Sequence, residues 1–516
     1  MNKILKRFVF FLLLVFVFLF SFACTKKQET QEAKPSEKIP TKTQEVEPTE
    51  PVETKTATPV VDEFVPLTIY SLNDFHGVLF SNAKYPGMSR LGDYLVKNKN
   101  DNTLIVSAGD MFQGTAVSSM TRGRAVVDVM NYIGFDAMAL GNHEFDWGID
   151  VVLKYQDSDD SNGEADFPFL CANCKDLRTG DLASWCIPYA VTERAGLKIG
   201  MVGIIGSSEE SSILPSNVVN FDFTDEVTAI KKYTKILRQE ENCDLVLVII
   251  HDDSESYNQA LVNLSGEYRI DAIFNGHTHQ AYYGDYKRSD GTVVPYIQSS
   301  CYGSYIGKIS LLYDRVNKKV AGASAINIQA STSCRTESKD INAILANYQE
   351  YIDIANEDLG YSGVNIYKDK GGEWAATVLK DFGEGDVGIC NTGGIRSNAF
   401  PISQGIMVKY DNIFQIMPFE NMIVKCDLKG SDVIKLITSN YYISNNVNSS
   451  SLTINGVSID RDKYYTVVTI DYLYEQSYTP FSRNGINYVH YDKLFREALV
   501  DAFMQNANDN GGRFIW

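Results

Sequence analysis

The hexapeptide Gly141-Asn142-His143-Glu144-Phe145-Asp146 follows directly on the apolar run Ala137 to Leu140. An amide oxygen, an imidazole and a carboxylate within five residues, placed where a buried strand would end, form a cluster able to hold a metal ion. Four further apolar runs end the same way. Leu67 to Tyr70 leads to Asn73-Asp74-Phe75-His76, and Leu104 to Val106 leads to Gly109-Asp110. Leu245 to Ile250 leads to His251, and Ala272 to Phe274 leads to Asn275-Gly276-His277-Thr278-His279. The chain has six histidines, and all but His490 lie in these motifs, which scattered structural histidines would not do. Carboxylate, amide and imidazole donors without thiolate suit Zn, Mn, Fe or Co and do not choose among them.

The elements that must position these donors are legible in the spacing. Continuous apolar runs read as strands buried on both faces. Between them, Met88 to Val96, Ala125 to Ile133 and Thr224 to Arg238 have the apolar spacing of helices, and Ile199 to Ile205 reads as a further strand. The fold class is therefore α/β with a partly parallel sheet. Ligands of open α/β sheets bind beyond the carboxyl ends of the strands, so the five motifs converge on one edge.

The set Asp-x-His, Gly-Asp, Gly-Asn-His-Glu, His and Gly-His-x-His resembles the calcineurin-like metallophosphoesterases. Together with the C-terminal half it resembles the bacterial 5′-nucleotidase and UDP-sugar hydrolase family, over about residues 65 to 485. The resemblance implies an N-terminal metallophosphoesterase α/β sandwich and a second, α+β substrate-binding domain. It implies two divalent metal ions, one held by Asp74, His76, Asp110 and His279, the other by Asp110, Asn142, His251 and His277. Asp110 would bridge them. On this assignment His143 has no metal and is free to meet the substrate phosphate, with Asp146 orienting its ring. Glu144 would be structural.

In the second domain, Asn391-Thr392-Gly393-Gly394-Ile395-Arg396 resembles the family's glycine loop, whose backbone approaches a ligand closely and whose Arg grips phosphate. Met417-Pro418-Phe419-Glu420-Asn421 resembles the substrate signature, so Phe419 would stack on a nucleobase. Ser477-Tyr478-Thr479-Pro480-Phe481 stands where the family has Gly-Gly-Asp-Gly-Phe, and Phe481 would supply the second stacking face. The family's additional phosphate-binding Arg is absent, and Lys368 to Trp374 offers only Lys368 and Lys370.

At 516 residues the chain is too long for one core. Lys3, Lys6 and Arg7 precede the apolar run Phe8 to Phe20, then Ser21-Phe22-Ala23-Cys24. This reads as a signal peptide whose Cys24 resembles a lipidated lipoprotein residue, although Ser21 stands where such signals have an apolar residue. The expected organisation is a signal over 1–24, a disordered tether over 25–62 and the metallophosphoesterase domain over 63–337. A linker helix over 338–356 and the substrate domain over 357–516 follow. The protein would be exported and membrane-anchored. Cys171-Ala172-Asn173-Cys174 has redox or zinc spacing, but no second pair of matching spacing follows.

A net charge of −18 argues against nucleic-acid polymers as partners. No protein partner is implied. The expected activity is hydrolysis of nucleotide phosphate esters to nucleoside and phosphate. Alternatives are a UDP-sugar pyrophosphohydrolase, a 2′,3′-cyclic-nucleotide phosphodiesterase, or a surface binding lipoprotein that kept the fold without catalysis.

Overall fold

The strands of the first half include all six apolar runs of the sequence. They are β1 (Phe64–Leu72), β2 (Thr103–Ser107), β3 (Ala137–Ala139), β4 (Phe169–Leu170), β5 (Cys174–Asp176), β6 (Tyr189–Arg194) and β7 (Leu197–Ile205). Next come β8 (Phe221–Phe223), β9 (Leu245–His251), β10 (Ala272–Asn275), β11 (Ala281–Lys287), β12 (Val293–Ser299), β13 (Tyr305–Asp314) and β14 (Lys319–Gln329). The computed structural model describes residues 63–252 and 255–516. The expected signal, the tether and Cys24 lie outside the described residues.

Two six-stranded sheets, in the orders β14-β13-β1-β2-β3-β4 and β11-β12-β10-β9-β7-β6, pack face to face. In each, the inner strands are parallel: β1 with β2, β2 with β3, β7 with β9, and β9 with β10. Alternate residues explain why these strands are apolar throughout. Ile69, Leu104 and Val106 point inward against Ile199, Leu247 and Phe274 of the other sheet, forming the central core. Their neighbours Tyr70 and Ile105 point outward and are covered by Met88, Leu91 and Leu95 from the helix Gly87–Asn98 and by Val126 and Met130 from Arg124–Ile133. On the far side, Val246, Val248 and Ile250 meet Ile230, Tyr233 and Leu237 of the helix Glu226–Gln239. The result is a helix-sheet-sheet-helix sandwich with all the parallel strands sealed on both faces. Truncating one such side chain, as in Leu247→Ala, costs about 2–5 kcal/mol at a fully buried site.

The expected single linker helix is two helices, Lys339–Ala346 and Gln349–Ala355. Ser338 caps the first through its hydroxyl, which accepts the Ile341 N–H at 3.3 Å. At Tyr348 the backbone leaves the helical region (φ −103°, ψ 24°). Its phenol instead hydrogen-bonds Asp128 of the first domain. Ile341 and Leu345 before the break and Ala355 after it are all buried in the first domain's core, so the break keeps both short stripes on that surface.

The second half is built on a five-stranded mixed sheet with Val387–Asn391 and Tyr464–Ile470 at its centre. Helices Lys368–Phe382 and Phe495–Asp509 supply Leu379, Phe495 and Phe503 to a separate core around Ile389 and Val467. This is the expected α+β unit. Residues from both halves belong to one compact unit.

Candidate active site

The donors gather where β1, β2, β3, β9 and β10 end. The turns there are pinned by backbone bonds between neighbouring strand ends. The Asp74 N–H donates to the Gly109 carbonyl at 3.0 Å, and the His76 N–H donates to the Asp110 carbonyl at 3.0 Å. Asp74, His76, Asp110, His277 and His279 all have positive φ, between 49° and 79°. Non-glycine residues adopt this conformation only where the surroundings over-determine it, typically at functional sites. It turns each side chain back over the sheet edge. Glycines make the room: a Cβ at Gly141 would lie 2.3 Å from Asp110 Oδ1, and one at Gly109 would lie 2.6 Å from the Gly141 nitrogen.

Three donor groups lie close enough to hold an ion: Asp74 with His76 and His279, His76 with Asp110 and His143, and Asp74 with Asp110 and His251. His76 Nε2 faces His279 Nε2 at 3.0 Å, and His279 Nε2 is 3.5 Å from Asp74 Oδ1. Asn142 Oδ1 lies 3.0 Å from His251 Nε2 and 3.1 Å from His277 Nδ1. His251 Nε2 is also 3.3 Å from Asp110 Oδ2. The tautomers follow from the other ring nitrogens. His76 Nδ1 is 3.0 Å from the Gln113 carbonyl and His251 Nδ1 is 2.7 Å from the Ala108 carbonyl. A carbonyl only accepts, so both Nδ1 atoms carry a hydrogen and both Nε2 atoms face the site.

Burial holds three of the imidazoles, His76, His277 and His279, neutral. It lowers His279 to about 3 and His277 to about 4, and together with Arg396 it puts His76 well below its ordinary value. Burial also pushes Asp74 up to about 7. For Asp110, burial works against the carboxylate, yet His251 and His143 beside it hold it well below the usual range. His251 departs from those three imidazoles: burial disfavours its charged form, but Asp110 and Asp74 raise it well above its ordinary value. Carboxylate oxygens and ring nitrogens thus converge in a buried site, where a cation would balance them. The residues present fit a divalent metal.

Glu144 has the structural role expected. Its carboxylate accepts the N–H groups of Asp110 and Gly141 at 2.8 Å each and of Met111 at 2.9 Å, which ties the β2 and β3 turns together. His143 Nδ1 is 2.8 Å from Asp146 Oδ2, while Nε2 stands 3.9 Å from Asp110 Oδ2. Burial disfavours the His143 imidazolium, but Asp146 and Asp110 outweigh it and raise the group.

The second half closes the site. Arg396 Nη2 lies 3.3 Å from His76 Nε2, and its guanidinium sits 5.7 Å from the Phe419 ring. Phe419 in turn stacks on His143, with centroids 5.5 Å apart and planes at 29°. A cavity of about 380 Å³ is lined by Asp110, Asn142, His143, Asp146, His277 and His279 on one side. Asn391, Gly393, Gly394, Arg396 and Phe419 line the other. Across the rim, Arg122 pairs with Glu420 at 2.7 Å and the Tyr472 hydroxyl donates to the Ser211 carbonyl at 2.9 Å.

Phe481 is the exception. It is fully buried in the second core and does not line the cavity. It starts a four-residue helix, Phe481–Asn484, that is packed against Met422–Lys429. Its position in the chain resembles a stacking residue, but its ring serves packing. Tyr472 is the aromatic that this part of the chain presents to the cavity.

Two residues at the metal donors escaped the sequence reading. Tyr302 lies 5.3 Å from His76 and 5.6 Å from His279. It follows β12, whose apolar run could have marked one more strand end. Glu209 is buried beside His277. It follows β7 in the stretch Gly206-Ser207-Ser208-Glu209, which has no histidine or aspartate to mark a strand-end donor.

Residues 67–281 match the calcineurin-like phosphoesterase family. With the sandwich and the donor set, they define the chain as a metal-dependent phosphoester hydrolase of that class. Residues 354–446 match the family described as 5′-nucleotidase, C-terminal domain. The chain therefore joins the two domains of the 5′-nucleotidases and is a 5′-nucleotidase-like metallophosphoesterase. It is 29% identical over 413 residues to Endonuclease YhcR of Bacillus subtilis, covering 73% of this chain but 33% of that protein. It is 27% identical over 433 residues to a 5′-nucleotidase of Vibrio parahaemolyticus, covering 72% of this chain and 74% of that one. Its fold is similar to that of a 5′-nucleotidase precursor from Thermus thermophilus, with a TM-score of 0.70 over 87% of this chain and 97% of the other, at 20% identity.

Proposed function

We propose that this protein hydrolyses the phosphate ester of nucleotides to nucleoside and phosphate, with two divalent ions of the Zn, Mn, Fe or Co type. The observation that supports this reading is the single cavity with metal donors and the His143–Asp146 pair on one wall, and Arg396 and Phe419 on the other. Bound ions supply a water deprotonated near neutral pH and offset charge on the phosphoryl oxygens. The chain's own residues do the rest. Asp146 accepts a hydrogen bond from His143 Nδ1–H and fixes its ring, so that Nε2 meets a phosphoryl oxygen and stabilises the charge that develops there. The Arg396 guanidinium donates to the phosphate, and Asn391 with the Gly393-Gly394 backbone borders the path of the ester. Phe419 offers its face to the base.

The test is a comparison of AMP, a UDP-sugar, 2′,3′-cyclic AMP and an aryl phosphate with Mn or Zn. AMP should be cleaved to adenosine with a higher kcat/KM than the aryl phosphate. Cleavage of the aryl phosphate with no release from any nucleotide would refute the reading.

The domain limits 63–337, 338–356 and 357–516 belong to the same proposal, as does export with lipidation at Cys24. Among the described residues no helix is long and apolar enough to cross a membrane. Cys24→Ser should lose lipid labelling and leave the membrane fraction, and unchanged membrane association would refute a lipid anchor.

A further inference from the structure

Glu209 opens the short turn Glu209–Ser212 that follows β7. The turn is tied to the metal edge, because the Gly206 N–H donates to the His251 carbonyl at 3.1 Å and the Glu209 N–H donates to the Gly206 carbonyl at 3.1 Å. The Glu209 side chain is only 4% exposed, and its Oε2 is 3.1 Å from His277 Nδ1. That nitrogen is the same one that lies 3.1 Å from Asn142 Oδ1. Oε2 makes no hydrogen bond, and among the described residues no Lys or Arg pairs with it. A buried carboxylate oxygen without a donor or a cation is costly. Here it faces a ring nitrogen that also lies against the Asn142 oxygen, so three metal-ligating atoms from three loops meet at one point.

We propose that Glu209 is an additional ligand of the metal held by Asn142, His251 and His277, adding a carboxylate oxygen through Oε2. This rests on the two-metal reading of the site. Another anionic oxygen hardens the position and favours Mn or Fe over Zn.

The experiment uses the full chain, stripped with a chelator and reloaded with Mn²⁺ or Co²⁺. Wild-type protein should retain two ions per chain, and failure there would overturn the two-metal reading itself. With that established, Glu209→Gln and Glu209→Ala should each release one ion at a chelator concentration that leaves the wild type loaded. The expected loss of Mn²⁺ affinity is about tenfold or more, with a smaller loss for Zn²⁺. The visible bands of the Co²⁺ protein should shift in both variants. Wild-type affinity in Glu209→Gln, or lowered affinity with unchanged Co²⁺ bands, would reduce Glu209 to a residue that orients His277 and overturn its ligation. Glu209→Gln is isosteric, so it keeps the test open if the alanine variant does not fold.

Discussion

The two walls of the cavity are made differently. On the first, Asp110 and Asn142, with Asp74, His76 and His251 behind them, are each no more than 2% exposed and sit at or just beyond a strand sealed on both faces, while His277 and His279 are half-buried. On the second, Arg396 and Phe419 are half-buried and come from loops after Val387–Asn391 and before Met422–Lys429. Metal donors must stay fixed to fractions of an ångström, which rigid elements provide. Groups that receive a substrate need access, and loops provide that. Substitutions on the first wall should therefore abolish the reaction on every substrate, and those on the second should change how substrates are ranked.

The largest effect is expected at Asp110, whose oxygens face donors of both proposed ions. Asp110→Asn should lose metal and reduce kcat by more than about 10⁴, beyond the range for one acid-base group. Asn142→Ala should do less. Metal analysis beside kinetics decides it: near-normal rate with full metal content in the Asp110 variant would remove its bridging role.

His143 belongs to the first wall by burial, but it touches Phe419 of the second. His143→Ala should lower kcat by about 10²–10⁴, as for a positioned acid-base group, and leave metal content unchanged. The loss should be equal on AMP and on an aryl phosphate. Loss of metal with activity would make His143 a ligand.

The contrast between the walls also explains what the sequence disclosed. Asp74, His76, Asp110, Asn142, His251, His277 and His279 were legible because chemistry restricts donor types and topology places them at strand ends. The helix-sheet-sheet-helix order was not, since periodicity marks a buried strand without saying which sheet it joins. Glu209 was missed because glutamate at a surface-like Ser-Ser-Glu-Glu turn has no distinctive spacing. Phe481 shows the opposite error, in which position along the chain suggested a role that packing denies. An aromatic is equally at home in a core and on a base, so its identity alone cannot decide.

Phe419 tests whether the second wall ranks substrates. Stacking on a base is worth about 1–3 kcal/mol by alanine substitution, or roughly 5- to 150-fold at 1.4 kcal/mol per tenfold. Phe419→Ala should reduce kcat/KM for AMP by that factor and affect an aryl phosphate much less. Equal losses on both would show that Phe419 only packs on His143.

The smallest kinetic effect is expected at Phe481, and it sharpens the comparison most. Its ring is fully buried in the second core, so Phe481→Ala would cost about 3–5 kcal/mol of stability and confuse unfolding with lost binding. Phe481→Leu keeps most of the apolar volume and removes the aromatic face. If the ring only packs, this variant should have a lower thermal midpoint and keep kcat/KM for AMP within about twofold of wild type, since swaps that conserve hydrophobic volume usually cost under about 1.5 kcal/mol. Its ratio of AMP to aryl-phosphate activity should not move, unlike that of Phe419→Ala. A nucleotide-selective loss in Phe481→Leu would mean that the short helix Phe481–Asn484 swings out of the core when substrate binds. The second wall would then be remade during the reaction, whereas the first stays fixed.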